Sequence, residues 1–262
     1  MNADATDDSR LDGGMTRGGI AVSEAHLWLL PWDSLADLRP IESCRPLLDE
    51  AERRQSGRFR FPESRQEYEA AHVLLRIALS CIHHASPQSW RFRSGGHGRP
   101  EIAGPADAPA LRFSLSHTRG LAACLIAAGR EVGVDVEALG ADLSDTAERF
   151  LTPKELAACE GLPPAERTRR LYEYWTLKEA YAKACGRGLS LPLTAIGFDL
   201  GPGPRARVWF DERVRDDAAA WQFLRSEPVP GRLLAVAVRR GDDQDVAVVR
   251  HPLTAEILAR LA

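Results

Sequence analysis

The chain has 262 residues, of which 44% are hydrophobic and 27% charged, and its formal net charge is −3. This composition excludes a wholly disordered chain, and the slight acidity argues against a general nucleic-acid binder. No stretch approaches the ~20 apolar residues that a membrane helix needs. Residues 1–22 are polar and glycine-rich without an apolar core, so we expect a disordered tail there and not a signal peptide. Five scattered cysteines without a Cys-x-x-Cys pair indicate a reducing, cytoplasmic setting.

The spacing of apolar residues predicts the elements of the first half. In chain order they are a strand at 26–30, a short amphipathic helix over 46–60, a helix from 64 to 82, an edge strand at 90–92, an alternating strand at 111–117 and an apolar strand or helical turn at 121–129. Ser64 and Glu67 fit a capping box at the start of the long helix.

The second half repeats this order loosely. It contains an alternating strand at 132–137, a helix opened by Thr152 and Pro153, an aromatic-rich helix over 166–185 that ends at Gly186, and a strand meander at 208–210, 221–224 and 233–238. In both halves a long helix precedes strands, but this likeness alone does not establish a duplication.

The strand at 132–137 carries the first candidate site. Side chains alternate along a strand, so Asp135 and Glu137 share one face with Gly133, and the two carboxylates lie roughly 6–7 Å apart at the Cα level. Carboxylates at that spacing can converge on one hard cation, and the missing side chain at Gly133 leaves room for a ligand. A solvated strand face with two acidic residues is an equally good interpretation of the segment taken alone.

The second candidate lies on the aromatic-rich helix. Trp175, Glu179 and Lys183 recur every four residues and therefore share a face, with Lys178 beside them. Glu179 and Lys183 could form an ordinary surface ion pair. Two lysines around a glutamate next to a large aromatic ring suit a cation-bound, phosphate-rich ligand better.

Two further segments offer donors to an anion. Ser116 and His117 end a strand, where a hydroxyl and an imidazole can donate to phosphate oxygens; adjacent strand residues point apart, so they do not form a catalytic dyad. The turn Gly98-Arg99-Pro100 could present a guanidinium to the same anion. Taken alone, Ser116 and His117 are better explained by an ordinary turn, and the Gly98-Arg99-Pro100 turn by itself is a weak signal for an anion site.

Taken together and in this order, the segments are specific. The sequence resembles the Sfp-type 4′-phosphopantetheinyl transferases over roughly residues 24–240. The resemblance rests on Gly98-Arg99-Pro100, the Ser114–His117 segment, the Val132–Glu137 strand, the Trp175–Lys183 helix and the Gly186–Leu193 continuation.

The resemblance implies an α/β (α+β) fold made of two similar subdomains related by a pseudo-twofold axis. Each would pack a long helix on a small, mostly antiparallel sheet, and the active site would lie in the cleft between them. We expect the first subdomain over 23–130, the second over 131–250 and a tail or helix over 251–262.

The resemblance also implies a reaction. The 4′-phosphopantetheine group of coenzyme A would pass to a serine of an apo acyl or peptidyl carrier protein, as in secondary metabolism, and adenosine 3′,5′-bisphosphate would leave. Because both motif-bearing halves lie in one chain, we expect a monomer.

Residue roles follow from the same resemblance. Asp135, Glu137 and Glu179 would hold Mg²⁺, or Mn²⁺ in its place, and Glu179 or a water would take the proton of the serine. The phosphate contacts would come from the basic and hydroxyl side chains Lys178, Lys183, Arg99, Ser116, His117 and, more loosely, Arg54.

Some alternatives stay open at this stage. Glu155 could be a base, but its place three residues after Thr152 is fully explained by a helix cap, which we favour. The acidic strand could also serve a metal-dependent coenzyme A or nucleotide pyrophosphohydrolase, which would cleave coenzyme A without an acceptor protein. A non-catalytic coenzyme A-binding module would be expected to lack one of the carboxylates, and none is missing.

Overall fold

The computed structural model describes residues 20–32, 39–96, 99–241 and 244–253. The strands are β1 (Glu24–Pro31), β2 (Arg91–Ser94), β3 (Pro100–Gly104), β4 (Leu111–Thr118), β5 (Leu121–Ala128), β6 (Val132–Ala138), β7 (Ile196–Leu200), β8 (Arg205–Phe210), β9 (Trp221–Val229), β10 (Arg232–Arg239) and β11 (Ala247–Pro252). The helices are α1 (Arg39–Ser43), α2 (Glu50–Ser56), α3 (Pro62–Ile82), α4 (Pro153–Cys159) and α5 (Pro164–Cys185).

The first sheet has the strand order β11-β1-β5-β4, with β2 and β3 forming a separate two-stranded ribbon. Its strands are antiparallel except for β11, which runs parallel to β1. Helix α3 packs on one face of this sheet because its apolar residues recur at helical spacing. The shared core includes Trp28, Leu74, Ile77, Trp90 and Phe113.

The second sheet is antiparallel throughout, with the order β6-β10-β9-β8-β7. Helix α5 packs on it through aromatic and small residues, and their core includes Leu177, Tyr181, Phe198, Trp221 and Phe223. The helix ends at Gly186, whose φ of 64° is the left-handed conformation that glycine adopts without strain.

A third core joins the two sheets. It is formed by the inner faces of β1 and β5 on one side and of β6 and β10 on the other, including Leu27, Leu125, Val134 and Val236. The layers therefore follow the order α3, first sheet, second sheet, α5. The expected α+β class and the pair of helix-on-sheet subdomains are confirmed. None of the helices in the described ranges has the length and apolar character needed to span a bilayer.

Several expected boundaries differ in the structure. The helix expected over 46–60 is shorter, because Asp49 and Glu52 form a capping box at its start and Gly57 follows its last residue. Helix α3 begins at Pro62, so the expected cap at Ser64 is wrong; a proline fits the first turn, where no backbone N–H is needed.

The subdomain limits also need correction at the end of the chain. Residues 247–250, expected in the second subdomain, pair with β1 in the first sheet. Of the expected tails, residues 1–19 and 254–262 lie outside the described residues. His251 and Pro252, expected in the C-terminal tail or helix, are instead the last residues of β11. Ile20, expected in the first tail, packs against the first core.

Gly133 fixes the distance between β6 and α5. A Cβ at this position would lie 1.9 Å from the carbonyl oxygen of Ala180 and 2.7 Å from the amide nitrogen of Ala184. The space beside Gly133 is therefore filled by the backbone of α5. The sequence analysis expected that space to be left for a ligand. This close approach also brings Glu179 and Lys183, one residue before and three residues after Ala180 on α5, beside the acidic strand.

This contact predicts that Gly133→Ala is strongly destabilising. The obstacle is helix backbone, which cannot move aside, so we expect the free energy of unfolding to fall by about 3 kcal/mol, the upper part of the overpacking range. Gly201→Ala is the matched control, because a Cβ at Gly201 would meet nothing within 4 Å. Urea unfolding of both variants measures the difference; equal stabilities would contradict the packing described.

Candidate functional site

Three of the predicted motif residues, Ser116, Asp135 and Lys183, meet where β4, β6 and α5 come together. The Lys183 ammonium lies 2.7 Å from Asp135 Oδ1 and 2.8 Å from Ser116 Oγ. Ser116 Oγ in turn lies 3.0 Å from Asp135 Oδ1, to which it donates. Three residues far apart in sequence thus form one closed hydrogen-bonded group, hereafter the central triad, with one member from the first sheet and two from the second subdomain.

The carboxylates around the central triad are incompletely paired. Asp135 is 4% exposed, yet its Oδ2 has no hydrogen-bond partner among the described residues, and neither has the buried Oε1 of Glu179. Glu137 accepts a hydrogen bond of 3.2 Å from the indole N–H of Trp175. Buried carboxylate oxygens without donors are costly unless a cation or a proton reaches them.

The pKa values of Glu137 and Glu179 reflect the closeness of the acids to one another. Burial and the nearby Asp135 raise the pKa of both groups, and Lys183 opposes the shift in each case. Like charges within a few ångströms disfavour joint ionisation, so this cluster of acids favours a cation.

These acids fit Mg²⁺ in kind, because it prefers carboxylate oxygens and keeps several waters. As they stand, however, no three His, Cys, Asp or Glu side chains in the described ranges are arranged to hold a metal ion. The Lys183 ammonium occupies the position of the counter-cation at Asp135.

His117 serves a different part of the site. Alternation along β4 turns it away from Ser116, as predicted, and towards α3. Burial, together with the neighbouring His72 and Lys183, lowers its pKa to about 4, and its Nδ1 is buried without a partner. It is therefore neutral at pH 7 and carries one N–H donor.

The sequence reasoning missed His72. Its Nδ1 lies 2.9 Å from Glu52 Oε1, and Glu52 also pairs with the fully buried Arg76. Tyr68 packs against the His72 ring, with 4.1 Å between ring centroids. The only available signal was the four-residue spacing of Tyr68, His72 and Arg76, which places them on one face of α3.

Arg99 does not contact the central triad. Its guanidinium donates to the backbone carbonyls of Ala184, Phe113 and Val132, at 2.7, 3.2 and 3.2 Å. It ties the subdomains together, whereas a phosphate contact was expected. Gly98, the first residue of that motif, lies outside the described residues.

Arg54 is not brought into the site either. Its side chain is exposed on α2, where its Nε lies 3.9 Å from the Glu50 carboxylate one turn earlier. An exposed pair at that distance contributes little to stability.

Lys178 also differs from the expectation. Its fully buried ammonium contacts Glu155 Oε2 at 2.6 Å and the carbonyl oxygens of Phe150, Leu193 and Ile196. An ammonium has three N–H donors, so none remains for a phosphate. Burial lowers its pKa to about 8, although Glu155 opposes the shift.

Glu155 has the structural role that the capping box predicts. Its carboxylate accepts from the backbone N–H of Thr152 at 2.8 Å and, across the core, from that of Phe198 at 2.9 Å. With Lys178 it anchors α4 and α5 to the strand that follows. Glu155 is 1% exposed and fully bonded, which leaves it unsuited to act as a base.

Comparison with known proteins identifies the family. Residues 131–238 match the family model of the 4′-phosphopantetheinyl transferase superfamily. The 4′-phosphopantetheinyl transferase HetI of Nostoc sp. is 32% identical over 84% of this chain and 89% of its own length. Sfp of Bacillus subtilis is 25% identical over 76% of this chain and 86% of its own. The chain belongs to the 4′-phosphopantetheinyl transferase superfamily.

One solved structure matches part of this chain. The holo-[acyl-carrier-protein] synthase of Thermotoga maritima is 24% identical, with a TM-score of 0.35, over 43% of this chain and 66% of that protein.

The buried pair predicts a large stability effect at Lys178. Lys178→Met leaves Glu155 charged and buried, together with three carbonyls without their donor, so we expect a loss of about 3–5 kcal/mol in the free energy of unfolding. Lys154→Met is the matched control, since Lys154 and its partner Asp199 are both largely exposed and should contribute less than about 1 kcal/mol. Chemical denaturation of both variants measures this; a small effect at Lys178 would contradict its structural role.

Proposed function

We propose that this protein transfers the 4′-phosphopantetheine group of coenzyme A to a serine of an apo carrier protein and releases adenosine 3′,5′-bisphosphate. Family membership supports the reaction. The observation that carries the proposal for this chain is the central triad, which joins the two subdomains beside the unpartnered oxygens of Asp135 and Glu179.

The reaction is a phosphoryl transfer. The serine oxygen forms a bond to the phosphorus that bears pantetheine, and the bond from that phosphorus to the bridging oxygen breaks, with adenosine 3′,5′-bisphosphate leaving. Such transfers depend on positioning and charge neutralisation more than on covalent help from the protein. Lys183 supplies a cation for that purpose, and Asp135, Glu137 and Glu179 supply carboxylates that can hold a metal ion.

We assign the metal to the three acids. Asp135 through Oδ2, Glu179 through Oε1 and Glu137 would hold Mg²⁺, and Mn²⁺ could replace it. Bound there, the ion would neutralise charge on the pyrophosphate oxygens. Lys183 uses two of its three N–H donors on Asp135 and Ser116, so the third would donate to the phosphates, which its 30% exposed side chain allows.

Glu179 is the proposed acceptor of the serine proton, directly or through a water. A general base must reach the proton that it accepts, directly or through one water, and Glu179 lies close enough to Asp135 and Lys183 for their charges to act on it. His117 would donate its N–H to a nucleotide phosphate.

The cellular setting is part of the same proposal. The five cysteines are free, and Cys44, Cys124 and Cys159 are buried as small apolar side chains. This use of cysteine suits the cytoplasm, where coenzyme A is present. We propose a monomer, since the two subdomains of one chain already supply the whole central triad.

Intact-mass analysis tests the proposed reaction. Apo acyl and peptidyl carrier proteins incubated with coenzyme A, Mg²⁺ and this protein should gain one phosphopantetheine group. Asp135→Asn keeps the shape but removes a charged metal ligand, so transfer should fall by at least about 100-fold, while its melting temperature is compared with wild type. Cleavage of coenzyme A without any carrier would instead indicate a pyrophosphohydrolase, and unchanged transfer in EDTA would contradict the metal assignment.

His117→Ala should affect binding more than turnover. A contact to a nucleotide phosphate acts equally in the ground and transition states, so we expect the KM for coenzyme A to rise about tenfold with little change in kcat. His84→Ala, an exposed histidine beyond the end of α3, is the control. Steady-state kinetics with coenzyme A and with 3′-dephospho-coenzyme A separate the phosphates; an unchanged KM for both would overturn this role.

A further inference from the structure

Strand β6 is an edge of the second sheet, and β4 is an edge of the first. The two strands lie side by side without backbone pairing. The N–H groups of alternate residues point to opposite edges of a strand, and Leu139, just past β6, donates to Gly231 on the β10 side. The N–H groups of Val134, Val136 and Ala138 therefore point away from β10, at the free edge, where each needs another acceptor.

Side-chain hydroxyls of β4 supply those acceptors. Val134 N–H donates to Ser114 Oγ at 3.0 Å, Val136 N–H to Ser116 Oγ at 3.2 Å, and Ala138 N–H to Thr118 Oγ1 at 3.1 Å. The spacing is two residues on both strands, and the numbers rise together, so the strands run in the same direction. We call these three bonds the hydroxyl ladder.

Arg99 bridges the same two strands, β4 and β6, near the first residue of β6. One of its nitrogens donates both to the carbonyl of Phe113 on β4 and to that of Val132 on β6. The ladder and this bridge together join the two sheets along the full length of β6. Only the middle rung, Ser116, also belongs to the central triad.

We propose that Ser114 and Thr118 are positioning residues of the transfer reaction: their hydroxyls hold β4 and β6 in the one register that sets Ser116 beside Asp135 and Lys183. A shift by one rung would move the strands roughly 6–7 Å past one another and place Asp135 opposite a different hydroxyl. This inference rests on the proposed function, because the group being positioned is the proposed catalytic centre.

Thr118 offers the sharper test, because it is the half-buried end of the ladder. Thr118→Val keeps the side-chain shape and removes the acceptor, whereas Thr118→Ser keeps the acceptor and removes a methyl group. Thr146→Val is the matched control, since the Thr146 hydroxyl bonds only within its own turn, to Leu143. All three variants and the wild type are compared as full-length chains.

Two measurements decide the matter. Amide hydrogen exchange should become at least about tenfold faster at Ala138 in Thr118→Val and stay at the wild-type rate in Thr118→Ser and Thr146→Val. In carrier phosphopantetheinylation, kcat should fall about tenfold or more in Thr118→Val with a nearly unchanged KM for coenzyme A, because displaced catalytic groups cost turnover more than substrate binding. Thr118→Ser should retain most of the wild-type kcat.

Equal exchange at Ala138 in Thr118→Val and wild type would overturn the ladder. Faster exchange with an unchanged kcat would overturn the positioning role, as would equal losses of kcat in the Val and Ser variants. A Thr118→Val chain that failed to fold while Thr118→Ser folded would fail the kinetic prediction, because positioning requires a folded variant of reduced turnover. Absence of transfer by the wild type would count against the proposed function alone, since the exchange measurement needs no activity.

Discussion

The contact among Ser116, Asp135 and Lys183 is the interaction on which the site depends. It places one hydroxyl from the first sheet and one ion pair from the second subdomain in a single group, with heavy-atom distances of 2.7–3.0 Å. Burying Asp135 would be costly without a cation and a donor at hand. The subdomains are therefore held together at the point where the chemistry is proposed to occur.

The neighbouring features follow from keeping this contact in place. Gly133 lets the backbone of α5 approach β6 closely enough for Lys183 to reach Asp135. The buried Lys178–Glu155 pair fixes the same helix from its other side. The hydroxyl ladder and Arg99 hold the first sheet against the second. Each of these features satisfies a buried polar group that would otherwise remain unpaired.

Sequence patterns predict most of the strands and helices and which acids share a face, but they do not predict the partners of the site residues. Strict alternation over 132–137 and the four-residue spacing of Trp175, Glu179 and Lys183 predicted which side chains share a face. The pattern could not show that Lys178, next to Glu179, turns into the core, since one helical step of about 100° separates the faces and only the packing of α4 decides which is buried. The turn Gly98-Arg99-Pro100 predicts a guanidinium that is presented to an anion, whereas the carbonyls of Phe113 and Val132, on two strands that meet only in space, accept from Arg99.

Contacts between residues far apart in the sequence are also not predicted by local patterns. His72 on α3 lies near enough to His117 on β4 to help lower its pKa, and no local spacing in the sequence predicts that proximity. The return of β11 to β1 is likewise a pairing over more than 200 residues, decided by which sheet edge remains open.

A double-mutant cycle on Ser116 and Lys183 tests most directly whether the two subdomains share one group. Ser116→Ala, Lys183→Met and the double variant would be compared in both the free energy of unfolding and kcat/KM for carrier modification. The account predicts that the single effects are not additive, with a coupling free energy of about 1–3 kcal/mol, because Ser116 and Lys183 bond to one another and share Asp135 Oδ1 as a partner. Effects that add to within about 0.5 kcal/mol in both measurements would contradict it.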